Sequence, residues 1–144
     1  MDGPFDAVIG SSILHHLEIH SSLVKIQRLL KPGGWMSFAE PNMLNPQIMI
    51  QKNVPWIKRL AGDSEDETAF VRWSLTRQLS QVGFAEIQIT PFDWLHPSTP
   101  RSLISFVDRT GRLLERLPLL RELSGSLHIQ ARRPIRTISG SDKV

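Results

Sequence analysis

One stretch constrains this chain more than any other: Phe5-Asp6-Ala7-Val8-Ile9, a break at Gly10-Ser11-Ser12, and then the adjacent histidines His15 and His16. Ala7 to Ile9 is a short apolar run of the kind needed by a strand buried on both faces. The small residues at the break let a ligand approach the backbone closely. Next, Ile19, Leu23, Ile26 and Leu30 recur at helical spacing and predict an amphipathic helix, with Ser21 or Ser22 as its cap. Lys31 suits the last turn, and Pro32-Gly33-Gly34 ends the helix. Trp35 to Ala39 reads as a second strand leading into Glu40-Pro41-Asn42. Strand, helix and strand joined by short links imply a right-handed parallel crossover. Gly10 to His16 and Glu40 to Asn42 then share one edge of a sheet. Open α/β sheets bind ligands at that carboxyl edge.

The rest of the chain continues the alternation. Residues 43–63 form an insertion from the same edge, predicted to act as a lid or substrate wall. Asn45-Pro46 starts a helix in it and Pro55 breaks that helix. Ser64 with Glu67 matches a capping box, ahead of a helix that buries Val71, Leu75, Leu79 and Val82 and stops at Gly83. Asp63, Glu65, Asp66 and Glu67 at its start complement the helix dipole better than they suit a metal. Ala85, Ile87 and Ile89 alternate with polar residues, as a half-buried strand requires. A loop from Pro91 to Pro100 carries Phe92, Trp94 and His96. Ser98 or Thr99 is placed to cap a helix that holds Leu103 to Leu117 and ends before Pro118. Leu127, Ile129 and Ala131 mark the last strand. The last two strands are expected to form the sheet's outer part. The reading is one α/β domain over residues 1–134, followed by a disordered tail over residues 135–144.

The chain has 144 residues and no cysteine, which excludes disulfides and thiolate metal sites. No metal site is expected, because two adjacent histidines on one turn do not chelate one ion. Neither a secretory leader nor an apolar run of the roughly 20 residues a membrane span needs is read at the start or elsewhere, so the cytoplasm is the expected compartment. Charge is unevenly spread: residues 101–144 hold 9 Lys and Arg against 4 Asp and Glu, while residues 1–100 hold 8 against 10. Arg101, Arg109, Arg112 and Arg116 share a segment with apolar residues, which suits either a solvated helix face or contact with a lipid surface. Nucleic acid is not an expected partner. A nucleophile elbow at Gly10-Ser11-Ser12 fails because Leu14 stands where its second glycine belongs.

Phe5-Asp6-Ala7-Val8, Leu14-His15-His16-Leu17 and Leu29-Leu30-Lys31-Pro32-Gly33-Gly34, in that order, resemble the second half of class I S-adenosylmethionine-dependent methyltransferases. The likeness is strongest to the small-molecule group that includes quinone-ring methylating enzymes. It implies a partial Rossmann-like sheet equivalent to the family's fourth to seventh strands, with the last strand antiparallel. It further implies S-adenosylmethionine as cofactor and a small organic molecule as methyl acceptor. On the same basis Gly10, Ser11, Ser12 and His15 fall near the cofactor, with an ordinary strand-to-helix turn as the alternative. His16 matches the family's recurring histidine and is the candidate general base, or else a structural histidine. Glu40 and Asn42 are candidates to bind substrate or to brace the site. Trp56, Trp73 and Trp94 either line an acceptor pocket or pack in the core.

The family's glycine-rich cofactor loop and the acidic residue that holds the ribose have no counterpart in the sequence. The resemblance therefore implies a truncated methyltransferase domain that is potentially inactive alone and is completed by an amino-terminal half or an oligomer partner. Its first strand would then be an unprotected sheet edge. Two other readings remain open: a non-catalytic subunit that completes a sheet in trans, and a lipid-surface binding protein.

Overall fold

The computed structural model describes residues 3–56, 69–96 and 99–135. In chain order they form β1 (Phe5–Ser11), a 3-10 turn at Leu14–His16, α1 (Ile19–Leu29), β2 (Leu30–Pro41) and α2 (Pro46–Asn53). There follow α3 (Arg72–Val82), β3 (Ala85–Phe92), a 3-10 turn at Arg101–Leu103, α4 (Ile104–Leu114), α5 (Pro118–Arg121) and β4 (Ser126–Arg132). The capping box at Ser64 and Glu67 and the tail beyond Ile135 lie outside the described residues.

The sheet order is β1-β2-β4-β3. β1 and β2 pair in parallel through the α1 crossover, as the strand–helix–strand pattern predicts. β4 pairs antiparallel with both β2 and β3. The last strand is therefore inserted, reversed, between its two neighbours. This confirms the antiparallel final strand, and the last two strands together form the outer part of the sheet beyond β2, with β3 as the edge and β4 inside it.

One face of the sheet carries the core. Val8 and Gly10 stand beside Met36 and Phe38, which stand beside Ala131 and Ile129. Leu23 and Ile26 of α1 and Leu75 and Leu79 of α3 close over this face, and Leu23 and Leu79 are fully buried. Gln27 Nε2 donates to the Val82 carbonyl at 2.9 Å and ties the two helices together. Gly83 ends α3 with φ +92, a conformation that glycine adopts without strain.

Three local expectations are corrected. Glu18, not Ser21 or Ser22, caps α1: its carboxylate accepts from the N–H groups of His20 at 3.0 Å and Ser21 at 2.7 Å. The cap sits one turn earlier because Ile19 already has helical backbone, which leaves Ser21 inside the first turn. β2 begins at Leu30, directly after α1, and runs through Pro32-Gly33-Gly34. An irregularity between the Phe5–Leu30 and Ala7–Trp35 pairs absorbs the extra residues, and Gly33 takes φ +82 there. Finally, β1 is not buried on both faces. Ile9 is 78% exposed, while the strand's position at the sheet edge is the one the resemblance implies. No described strand lies beyond it to cover that side.

Candidate active site

The carboxyl ends of β1 and β2 meet at one side of the sheet, where a cavity of about 550 Å³ opens. That volume lies within the usual range for small-molecule sites. The floor is made by Ser11, Ser12, His15, Ala39 and Glu40. Residues 92–96 form one wall, and Gly125 and Ser126 lie at the start of β4. α2 supplies the opposite wall with Gln47, Ile48, Gln51 and Lys52. Asn45 caps α2 by accepting from Gln47 and Ile48, with Pro46 in its first turn, as the sequence predicts.

Glu40 organises the floor. It is 1% exposed and ends the buried face of β2. Its Oε1 accepts from the backbone N–H groups of Ile13 at 3.0 Å and Leu14 at 2.8 Å. Its Oε2 lies 2.8 Å from His15 Nδ1, and His15 is itself buried. A carboxylate that already serves two backbone donors is an acceptor, so Nδ1 carries the proton toward it. This leaves Nε2 as the ring's acceptor nitrogen when the imidazole is neutral. Leu14 anchors the same turn in the core at 1% exposure.

The other sequence-nominated residues are placed as follows. Ser11 and Ser12 are exposed on the cavity floor, and Ser12 takes φ +50 while its N–H donates to the Ala39 carbonyl at 2.8 Å. Gly10 does not line the cavity. A Cβ there would lie 2.5 Å from Phe38 Cε1, so the small residue serves the packing of β1 against β2. His16 is exposed, stacks obliquely on His15 with ring centroids 4.0 Å apart, and is not among the lining residues. Asn42 is fully buried, and its amide is wholly engaged. It donates to the carbonyls of Glu122 and Ser124, both at 2.8 Å, and accepts from Leu44 N–H at 3.2 Å. Asn42 thus braces the segment leading to Gly125 and Ser126. Of the three candidate tryptophans, Trp94 lines the cavity, whereas Trp56 and Trp73 are 67% and 55% exposed.

Several lining residues were not singled out as site residues in the sequence: Gln47, Gln51 and Lys52 of α2, and Asp93 and Leu95 of the loop after β3. The available signal was positional, since both segments leave the same sheet edge. Among the described residues no group of three or more His, Asp or Glu side chains is placed to hold a metal ion.

A set of solved structures shares the overall fold of this chain. A methyltransferase from Thermotoga maritima superposes with a TM-score of 0.61 at 14% identity, covering 92% of this chain and 57% of that protein. The fold is that of the S-adenosylmethionine-dependent methyltransferases. A methyltransferase from Archaeoglobus fulgidus gives a TM-score of 0.56 at 18% identity over 91% of this chain and 60% of its own. The N-methyltransferase NodS of Bradyrhizobium japonicum, solved with S-adenosyl-L-homocysteine, gives 0.50 at 14% identity over 93% and 48%. This methyltransferase-fold chain therefore spans between 48% and 60% of the length of these three proteins. A family profile described as a methyltransferase domain matches residues 1–38, which hold β1, α1 and most of β2. No curated protein matches by sequence.

Proposed function

We propose that this chain forms the acceptor-side half of an S-adenosylmethionine-dependent methyltransferase acting on small organic molecules. The observation that carries the reading is β4 reversed between β2 and β3, with a small-molecule cavity over the carboxyl ends of β1 and β2. The residues present suit one side of such a cofactor. Ser11 and Ser12 offer hydroxyls on the cavity floor, where small side chains let a polar ligand lie close to the backbone. The bound cofactor supplies an electrophilic methyl group.

The chain's own residues then orient the acceptor and manage its proton. His15, rather than His16, is the general base in this reading, because it lines the cavity and Glu40 fixes its Nδ1 proton. Glu40 is the positioning residue, which holds both the His15 ring and the turn that bears it. Asn42 positions the Gly125–Ser126 rim from behind. α2 acts as the lid over the acceptor. The exposed outer side of β1 supports a strand joining there, from further chain or from a partner subunit.

Equilibrium dialysis with tritiated S-adenosylmethionine tests the reading. Binding displaced by S-adenosylhomocysteine, and lost when Ser12→Trp fills the floor, is the expected result. No displaceable binding by the intact chain would contradict the enzyme reading. Binding regained only with a strand-supplying partner would favour a subunit that completes a sheet in trans.

A further inference from the structure

The α4–α5 segment presents an apolar stripe to the outside. Phe106 is 69% exposed, Leu113 60%, Leu117 49% and Leu119 85%. Phe106, Leu113 and Leu117 follow one another at intervals of seven and four residues, so they lie along one side of the helix and its continuation. Arg109 and Arg116 fall on one flank of that stripe, and Arg101 stands at its start. Large apolar side chains therefore face outward as well as inward, where Val107 and Leu114 are half-buried. The inward side of the helix is narrow, with Gly111 buried so closely against Trp94 that a Cβ would lie 2.9 Å from the indole. Glu115 also points inward and accepts from Asp93 N–H at 2.8 Å.

The charge of the exposed side is correspondingly one-signed. Asp108 is paired with Arg112, and Glu115 is spent on Asp93. Glu122 pairs with Arg72 at 2.8 Å. Among the described residues no carboxylate lies within ion-pair distance of Arg101, Arg109 or Arg116. Arginines beside large apolar side chains can lay their stems along an acyl boundary while their guanidinium groups reach lipid phosphates. A second copy of this chain would bring the same uncompensated arginines face to face, which disfavours self-pairing.

We propose that the α4–α5 surface docks on an anionic lipid bilayer, with Phe106, Leu113, Leu117 and Leu119 inserted at the headgroup boundary and Arg101, Arg109 and Arg116 on the phosphates. This is a peripheral contact. Among the described residues no helix is long and apolar enough to cross a membrane. The surface and the cavity wall are two sides of one element, since Trp94 and Asp93 pack on the inner side of α4. The docking does not depend on methyl transfer.

Co-sedimentation of the intact chain with phosphatidylcholine vesicles, with and without phosphatidylserine, tests it. Binding should require phosphatidylserine and fall steeply with added salt. The double variant R109E/R116E should bind at least about thirtyfold more weakly, at the scale of roughly one fivefold step per basic residue near such a surface. F106S/L113S should also lose binding, with circular dichroism reporting an unchanged fold. I9K alters the exposed side of β1 instead and should bind as the parent does. Equal binding to neutral vesicles, or none to anionic ones, would overturn the proposal. So would a concentration-dependent dimer abolished by F106S/L113S, which would make the surface a protein interface. The salt dependence of the parent chain decides the matter even if a variant fails to fold.

Discussion

Glu40 makes three contacts from a nearly sealed position, and each has a different partner. Replacing it with alanine would strand two backbone N–H groups and the His15 Nδ1 proton. The expected loss is about 3 kcal/mol or more by chemical denaturation, because each stranded buried donor costs about 1–3 kcal/mol. Glu40→Gln tests the positioning role. Its carboxamide retains one acceptor oxygen for the turn but offers N–H to the ring, so the His15 tautomer should reverse, as read from imidazole nitrogen shifts. Gly10→Ala should destabilise by about 1–3 kcal/mol, since the added methyl meets the buried Phe38 ring. Pairing it with Phe38→Leu should recover part of the loss.

The shared edge of Gly10–His16 and Glu40–Asn42 was legible in the sequence, because a parallel crossover forces it. Which histidine faces inward was not. A 3-10 turn rotates by a third of a circle per residue, so adjacent His15 and His16 diverge. Only the buried Leu14 and the Glu40 contacts set the phase.

At the scale of single elements, α1 and α3 show how far periodicity reaches. Their apolar faces, Leu23 and Ile26 and then Leu75 and Leu79, were readable and do form the core. Leu79→Ala should cost about 2–5 kcal/mol, as a fully enclosed leucine does when truncated. The start of α1 was misread because the capping rules favour Ser over Glu, yet Glu18 reaches the same donors. A hydrogen bond from the Ser21 side chain, and then those from the backbone N–H groups of Ser21 and His20, hold the Glu18 carboxyl below its ordinary value. A lowered folded-state value stabilises the fold above the unfolded carboxylate's range, about pH 4.3. The contribution is lost as pH falls through that range to the folded value. Glu18→Gln should therefore lower the melting temperature at pH 7 and have little effect near pH 3. An equal effect at both would remove the carboxylate cap from the explanation.

For the whole molecule, strand identity was legible and strand order was not. Leu127, Ile129 and Ala131 alternate with His128, Gln130 and Arg132, a pattern that fits an outer strand as well as an inner one. β4 pairs on both sides and keeps a polar face because the second face of the sheet carries polar partners for it. Ser37 meets His128 at 3.1 Å there, and the Arg132 guanidinium lies over the Trp35 ring at 5.5 Å. Composition cannot separate those cases, and the family resemblance supplied the reversed direction of the final strand. The apolar run of β1 misled for the same reason. It carries the sequence of a strand enclosed on both sides, and among the described residues it is enclosed on one. Ile9→Lys should accordingly leave the denaturation midpoint nearly unchanged and reduce self-association in sedimentation velocity.

The cavity at the strand ends is the centre of this account, and S-adenosylhomocysteine reports on it without requiring turnover. Amide correlation spectra of isotopically labelled chain, titrated with that compound, should show saturable shifts centred on Ser11, Ser12 and His15 and extending to Ala39 and Glu40. Absence of any shift at millimolar ligand, or shifts confined to residues away from the carboxyl ends of β1 and β2, would contradict the account.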